Sequence, residues 1–187
     1  MRRIQRRLAL FYGLDAAPDV LDFVQPVADG GRETLLLRES DDGLEIALLL
    51  PEQLLSGEEG LPDADTLLQA LEGVSHFVYL AERARVSLPT TRLELELQAE
   101  VDKFVLLAVD GRRPSQKRKE RLSARLFEEV SYLHAAGSED GDRYRLANTL
   151  AARFVRRLER FPTPSELHAE LRRFYRAGQT EKIRMAG

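Results

Sequence analysis

The amino-acid sequence predicts an α+β fold, mostly α-helical, with one N-terminal β-hairpin packed on a helical core. Three observations predict it. Leu35, Leu37, Ile46, Leu48 and Leu50 alternate about the turn dipeptide Asp42-Gly43, which is the pattern of a half-buried hairpin. From Asp65 onward, apolar residues recur at steps of three and four in successive segments, the period of a helix with one inward face. Thr91 is followed three residues later by Glu94, and Thr163 by Glu166, so that a hydroxyl and a carboxylate can each satisfy an orphan backbone N–H at a helix start.

Taken in order, the first thirty residues mix aromatic anchors with Pro18 and Pro26 and suit either a short helix or an extended segment around Val20 to Val24. The basic start and the apolar run Leu8 to Leu14 lack a small-residue cleavage site and end at Asp15, so no signal peptide is expected. No stretch approaches the roughly 18 apolar residues of a membrane span, and a cytoplasmic location is the expectation. The hairpin follows, RETLLLRE and LEIALLLP about SDDG. A lone hairpin is marginal in water, so it must pack on helices or pair with a further strand. After the loop SGEEGLPDAD, Leu67, Leu71, Val74, Val78 and Ala81 predict a helix over Asp65 to Ala84, with Leu68, Phe77, Tyr79 and Leu80 marking it as enclosed.

The stretch LELELQAEVDK, Leu93 to Lys103, alternates like a strand at first. Its cap at Thr91 and the steps Leu93, Leu97, Val101, Phe104, Ala108 predict a helix from Thr91 to about Val109 instead. Beyond the linker DGRRPSQK, a helix is expected over Ser115 to Ala135 on the stripe Leu122, Leu126, Val130, Leu133. SEDGD is read as a turn, and a helix over Arg143 to Arg160 carries Leu146, Leu150, Phe154 and Leu158 inward. The last helix starts at Thr163 with Pro164 in its first turn and ends near Gly178, leaving the tail GQTEKIRMAG without periodicity, mobile or docked on a partner.

The chain has 187 residues, 43% hydrophobic and 32% charged, enough for one sizeable core. It has no cysteine, which excludes disulfides, thiol catalysis and cysteine-ligated metals. Charge is divided along it. Residues 1–110 hold 10 Lys+Arg against 21 Asp+Glu, a net of −11, and residues 111–187 hold 18 against 10, a net of +8. The expected organisation is therefore an acidic α+β lobe, 1–110, of hairpin and two enclosed helices, and a basic three-helix lobe, 111–187, in one compact unit.

Two constellations carry possible chemistry. Glu72 and His76 are four apart on one predicted helix, and Glu96 and Glu100 are four apart on the next, the way helical bundles offer carboxylates and imidazole to a divalent metal. Against this, the spacing departs from the Glu-x-x-His repeat of di-iron bundles, and Lys103 can answer Glu100 as an ordinary pair. The second constellation is basic. Lys117, Arg118, Arg121 and Arg125 fall within about 100° on a helical wheel, as do Arg153, Arg156, Arg157 and Arg160, and Arg172, Arg173 and Arg176 group likewise. Such ridges suit phosphates, which arginine grips in two places; they equally suit a solvated helix face.

The chain has no Gly-rich phosphate loop, no GxSxG elbow and no HExxH, and no catalytic residue or cofactor is assigned. The favoured expectation is a non-enzymatic binding or adaptor protein whose basic half engages an anionic partner, nucleic acid or an acidic protein surface, and whose acidic half meets a protein partner or closes a homo-oligomer. The rivals are a metal-dependent enzyme, such as a hydrolase, using Glu72, His76, Glu96 and Glu100, and a structural subunit of a larger assembly.

Overall fold

The computed structural model describes residues 1–14, 17–27, 32–40, 43–55, 64–108, 116–158, 161 and 163–187. Among them are seven α-helices and a three-stranded mixed sheet, an α+β, mostly helical fold. The chain divides into two compact units: Met1–Leu10 with Leu14–Pro89, and Phe11–Gly13 with Thr90–Gly187. The division falls at Pro89 rather than at the charge shift after Asp110, because α3 (Arg92–Ala108), though acidic, packs with the helices that follow it.

The first unit begins with α1 (Arg2–Tyr12), whose last residues, Phe11 and Tyr12, belong to the second; the sequence pattern gave no element here. Its inward positions Gln5, Leu8 and Tyr12 stand at helical spacing, but the first of them is polar. Gln5 donates to the Pro18 carbonyl at 2.6 Å and accepts from the Val20 N–H at 3.0 Å, fastening a 3-10 turn (Val20–Asp22) to the helix. Strand β1 (Val24–Val27) then pairs parallel with β3 (Gly43–Pro51), which pairs antiparallel with β2 (Thr34–Ser40), in the order β1-β3-β2. The hairpin is as expected, and β1 is the further strand it required. Pro26, which has no N–H to give, sits on an edge strand where that is tolerated.

Leu35 stands opposite Leu48 and Leu37 opposite Ile46, the predicted face. Leu48 and Leu50 are fully buried, whereas Leu37 is 47% exposed. The reason lies in α2 (Ala64–Arg85), which reaches the sheet where Gly73 meets Leu48 and Leu50 and leaves the far end of the hairpin uncovered among the described residues. As expected, α2 is enclosed: Val74, Phe77, Val78 and Tyr79 are all buried. Arg83 closes the turn after it by donating to the Pro89 carbonyl at 3.1 and 2.6 Å. The Asp42 turn residue and most of the loop SGEEGLPDAD lie outside the described residues.

The second unit is built on α3. Its predicted capping box is present, with the Thr91 N–H donating to Glu94 at 2.8 Å and the Glu94 N–H donating to the Thr91 hydroxyl at 3.2 Å. Against α3 pack α4 (Gln116–Phe127) and α5 (Glu139–Leu158), with α6 (Pro164–Arg176) and α7 (Gln179–Ala186) completing the unit. The expected helix to Ala135 stops eight residues earlier: Leu133 is 69% exposed and Val130 is outside the helix. The segment after α4 is held instead by Arg145, which donates to the His134 carbonyl at 3.1 Å and lies over the Tyr132 ring at 4.4 Å.

SEDGD is not a separate turn but the first turn of α5, capped by the Ser138 hydroxyl accepting from the Gly141 N–H at 3.1 Å. The inward face of α5 is centred on Ala147 and Ala151, small residues that let it lie close on α3, and Leu146 consequently turns outward at 46% exposure. The α6 capping box at Thr163 and Glu166, with Pro164 in its first turn, matches the expectation. The tail is neither free nor irregular: α7 buries Lys182, Met185 and Ala186 at steps of three and one, and a lysine at the inmost position hid the helical pattern.

Candidate functional site

The carboxylates and cations of LELELQAEVDK point to different sides of α3 and have different uses. Glu94 is the cap. Gln98 and Asp102, one turn apart, enter a fully buried network in which Asp102 Oδ1 accepts from the Tyr12 hydroxyl and, at 2.8 Å, from the Gln98 amide. Gln98 Oε1 in turn accepts from Lys182 Nζ at 2.5 Å, and Lys182 also donates to the Phe174 carbonyl at 2.8 Å while lying 4.2 Å from the Phe174 ring centre. Tyr12 stacks on Tyr175 at 4.2 Å. Burial and the adjoining Asp102 charge hold the Tyr12 phenol well above its ordinary pKa, so it stays a donor. A buried anion and a buried cation are thus joined through one amide, and they bind α7 and α3 together.

On the other side, Glu96, Glu100 and Lys103 share a face. Lys103 donates to Glu100 at 2.9 Å, the pairing foreseen as the ordinary alternative to a metal. Arg143 meets Asp140 at 2.7 Å and stands 4.0 Å from Glu96. Partial burial works against the Arg143 charge, but the Asp140 hydrogen bond with the Asp140 and Glu96 charges outweighs it and raises its pKa. Glu96 and Glu100 are therefore placed with cations of their own unit.

In the first unit, Glu72 and His76 do share a face, and a third side chain joins them: Glu33, just before β2, brings its Oε1 to 3.2 Å from His76 Nδ1. One ligand atom from each of Glu33, Glu72 and His76 lies within 4.8 Å of the others. The side chains of His76 and Glu33 are 8% and 10% exposed. Gly73 makes room for this approach, since a Cβ there would stand 2.7 Å from Glu33 Cγ and 3.0 Å from Leu48 Cδ1. Glu33 was invisible to spacing arguments because it lies 43 residues from His76 and reaches it only through the packing of the sheet on α2.

The three basic ridges separate into working and structural side chains. On α4, Lys117, Arg118, Arg121 and Arg125 are exposed; on α5, Arg153 and Arg156 are exposed. Among the described residues, no carboxylate pairs with Lys117, Arg121, Arg125, Arg153 or Arg156. By contrast, Arg157 donates to the Met185 carbonyl at 3.0 Å, Arg172 to the Phe11 carbonyl at 3.1 Å, and Arg173 to Glu181 at 2.9 Å. Arg176 is exposed on α6, and Arg160 lies outside the described residues. Of the unit's aromatic rings, Phe154, Phe174 and Tyr175 are buried, while the half-buried Tyr132 lies under Arg145 and the half-buried Tyr144 stacks on His134. No known family model, curated protein or solved structure matches the chain.

Proposed function

We propose that this is a non-enzymatic binding protein whose second unit engages an anionic macromolecule through the outward faces of α4 and α5. The observation that carries this reading is the separation just described. Arg157, Arg172 and Arg173 are spent on holding α6 and α7, whereas Lys117, Arg121, Arg125, Arg153 and Arg156 face solvent on two helices that pack on each other and on α3. Like charges concentrated on neighbouring helices repel one another, and a polyanion relieves that repulsion. The unit carries 20 Lys+Arg against 15 Asp+Glu, and the first unit 8 against 16.

Arginine forks on helices favour phosphate oxygens. Phe154, Phe174 and Tyr175 are buried, and Tyr132 and Tyr144 already lie against Arg145 and His134, which favours contact with a duplex backbone over stacking on single-stranded bases. Binding of this kind is largely sequence-neutral and weakens with salt as counterions are released, with a log–log slope of about −4.5 for five phosphate contacts on a duplex. The test is a titration of the full chain with double- and single-stranded nucleic acid at two salt concentrations, alongside a variant carrying Arg121→Glu and Arg153→Glu. Salt-sensitive duplex binding that the variant loses at unchanged melting temperature is the expected result. Absence of binding at low salt overturns the reading, and retained binding by the variant overturns the assignment of these residues.

A further inference from the structure

The geometry points to a divalent metal site in the first unit, formed by Glu33, Glu72 and His76 and independent of the basic surface of the second. Two carboxylates and one imidazole, drawn from the entry to β2 and from one face of α2, offer three ligand atoms within 4.8 Å of one another. A tetrahedral centre with bonds of about 2.1 Å keeps its ligand atoms about 3.4 Å apart. The 3.2 Å between Glu33 Oε1 and His76 Nδ1 already matches that spacing. The remaining carboxylate closes by an adjustment on the order of 1 Å, which a side-chain rotation supplies.

The surroundings favour a cation as well. His76 and Glu33 are nearly buried and Glu72 is half-buried, so these carboxylates attract a cation more strongly than they would on an open surface. The protein also gives up helix propensity to place Glu33 here, for Gly73 stands in the middle of α2 where any Cβ would press on the Glu33 stem. The mixed nitrogen and oxygen donors select the class of ion. An imidazole suits zinc or iron(II) and the two carboxylates also accept manganese, whereas calcium and magnesium prefer oxygen throughout. Three protein donors leave a coordination position for water.

The experiment uses the full chain freed of metal by chelation and titrated calorimetrically with zinc, manganese and magnesium chlorides. One equivalent of zinc or manganese is expected to bind with a Kd in the micromolar range or tighter and to raise the melting temperature, with magnesium bound at least tenfold more weakly. Glu72→Gln and His76→Asn should each weaken zinc at least tenfold, while Glu52→Gln, on the exposed 3-10 turn after β3, should not. Circular dichroism establishes that each variant folds, and if His76→Asn does not, the isosteric Glu72→Gln decides. Absence of stoichiometric binding overturns the proposal, as does zinc binding of equal strength in the Glu72→Gln protein, which would place the ion elsewhere.

Discussion

The interiors of the two units treat buried charge in opposite ways. In the second unit Asp102, Gln98, Lys182 and Tyr12 form a buried network in which anion and cation are joined by an amide. In the first, Glu33, Glu72 and His76 assemble two carboxylates on one imidazole. Their outer surfaces differ too, since the second unit leaves five cations on α4 and α5 without a carboxylate among the described residues. A balanced buried network is a structural device, because a low-dielectric interior tolerates charge only when it is paired. Like charges gathered in one place are where a ligand gains most; the second unit gathers them on the outward faces of α4 and α5, and the first at Glu33 and Glu72 beside His76.

The largest expected effect breaks the balanced network. Lys182→Met removes the network's cation and leaves Gln98 Oε1 and the Phe174 carbonyl without the lysine donor, and should cost about 3 kcal/mol in urea unfolding. Adding Asp102→Asn should recover part of that loss, since removing both charges costs less than removing one. A loss below about 1 kcal/mol for Lys182→Met would mean that the buried Met185 and Ala186 and the Arg157 and Arg173 contacts hold α7 without the lysine.

A smaller effect tests the cluster of Glu33, Glu72 and His76. Gly73→Ala improves helix propensity by about 1 kcal/mol yet forces a Cβ against Glu33 and Leu48, and overpacking of this kind costs about 1–3 kcal/mol. The expected outcome is net destabilisation of about 1 kcal/mol by thermal melting, with weaker zinc binding because Glu33 is pushed away from His76. A stabilised variant would mean that the sheet and α2 can part without cost.

The smallest effect concerns the surface of the second unit. Glu181, hydrogen-bonded to Arg184 and to Arg173, is depressed from 4.5 to about 2. A depressed carboxylate stabilises the folded state fully above its unfolded pKa, and that contribution fades as pH falls through the folded value. The α6–α7 ion pairs should therefore persist through pH 4 and disappear near pH 2, seen as the side-chain carbon shift of Glu181 by NMR. Arg184→Gln should move that midpoint upward. A wild-type midpoint near 4.5 would show that the pairs are not formed in solution.

Much of this architecture is legible in the sequence wherever local chemistry and period agree. The hairpin about Asp42-Gly43, the enclosed α2 and the two capping boxes at Thr91 and Thr163 are legible because each rests on residues within a few positions of one another. What escapes local reading is the placement of polar residues inside. Gln5 and Lys182 occupy inward helical positions, so α1 and α7 lack a continuous apolar stripe, and Ala147 rather than Leu146 marks the inward face of α5. For the candidate sites, Glu72 and His76 are found by their spacing, whereas Glu33 reaches them only through tertiary packing. The basic ridges are visible on a helical wheel. Which of their arginines hold the fold depends on carbonyls as distant as Phe11 from Arg172.

The most direct test of the account is the salt dependence of duplex binding by the full chain and by the Arg121→Glu, Arg153→Glu variant. The native protein is expected to show a slope of about −4.5, and the variant to fold and lose binding. Native protein that does not bind even at low salt, or binds with no dependence on salt, would contradict it.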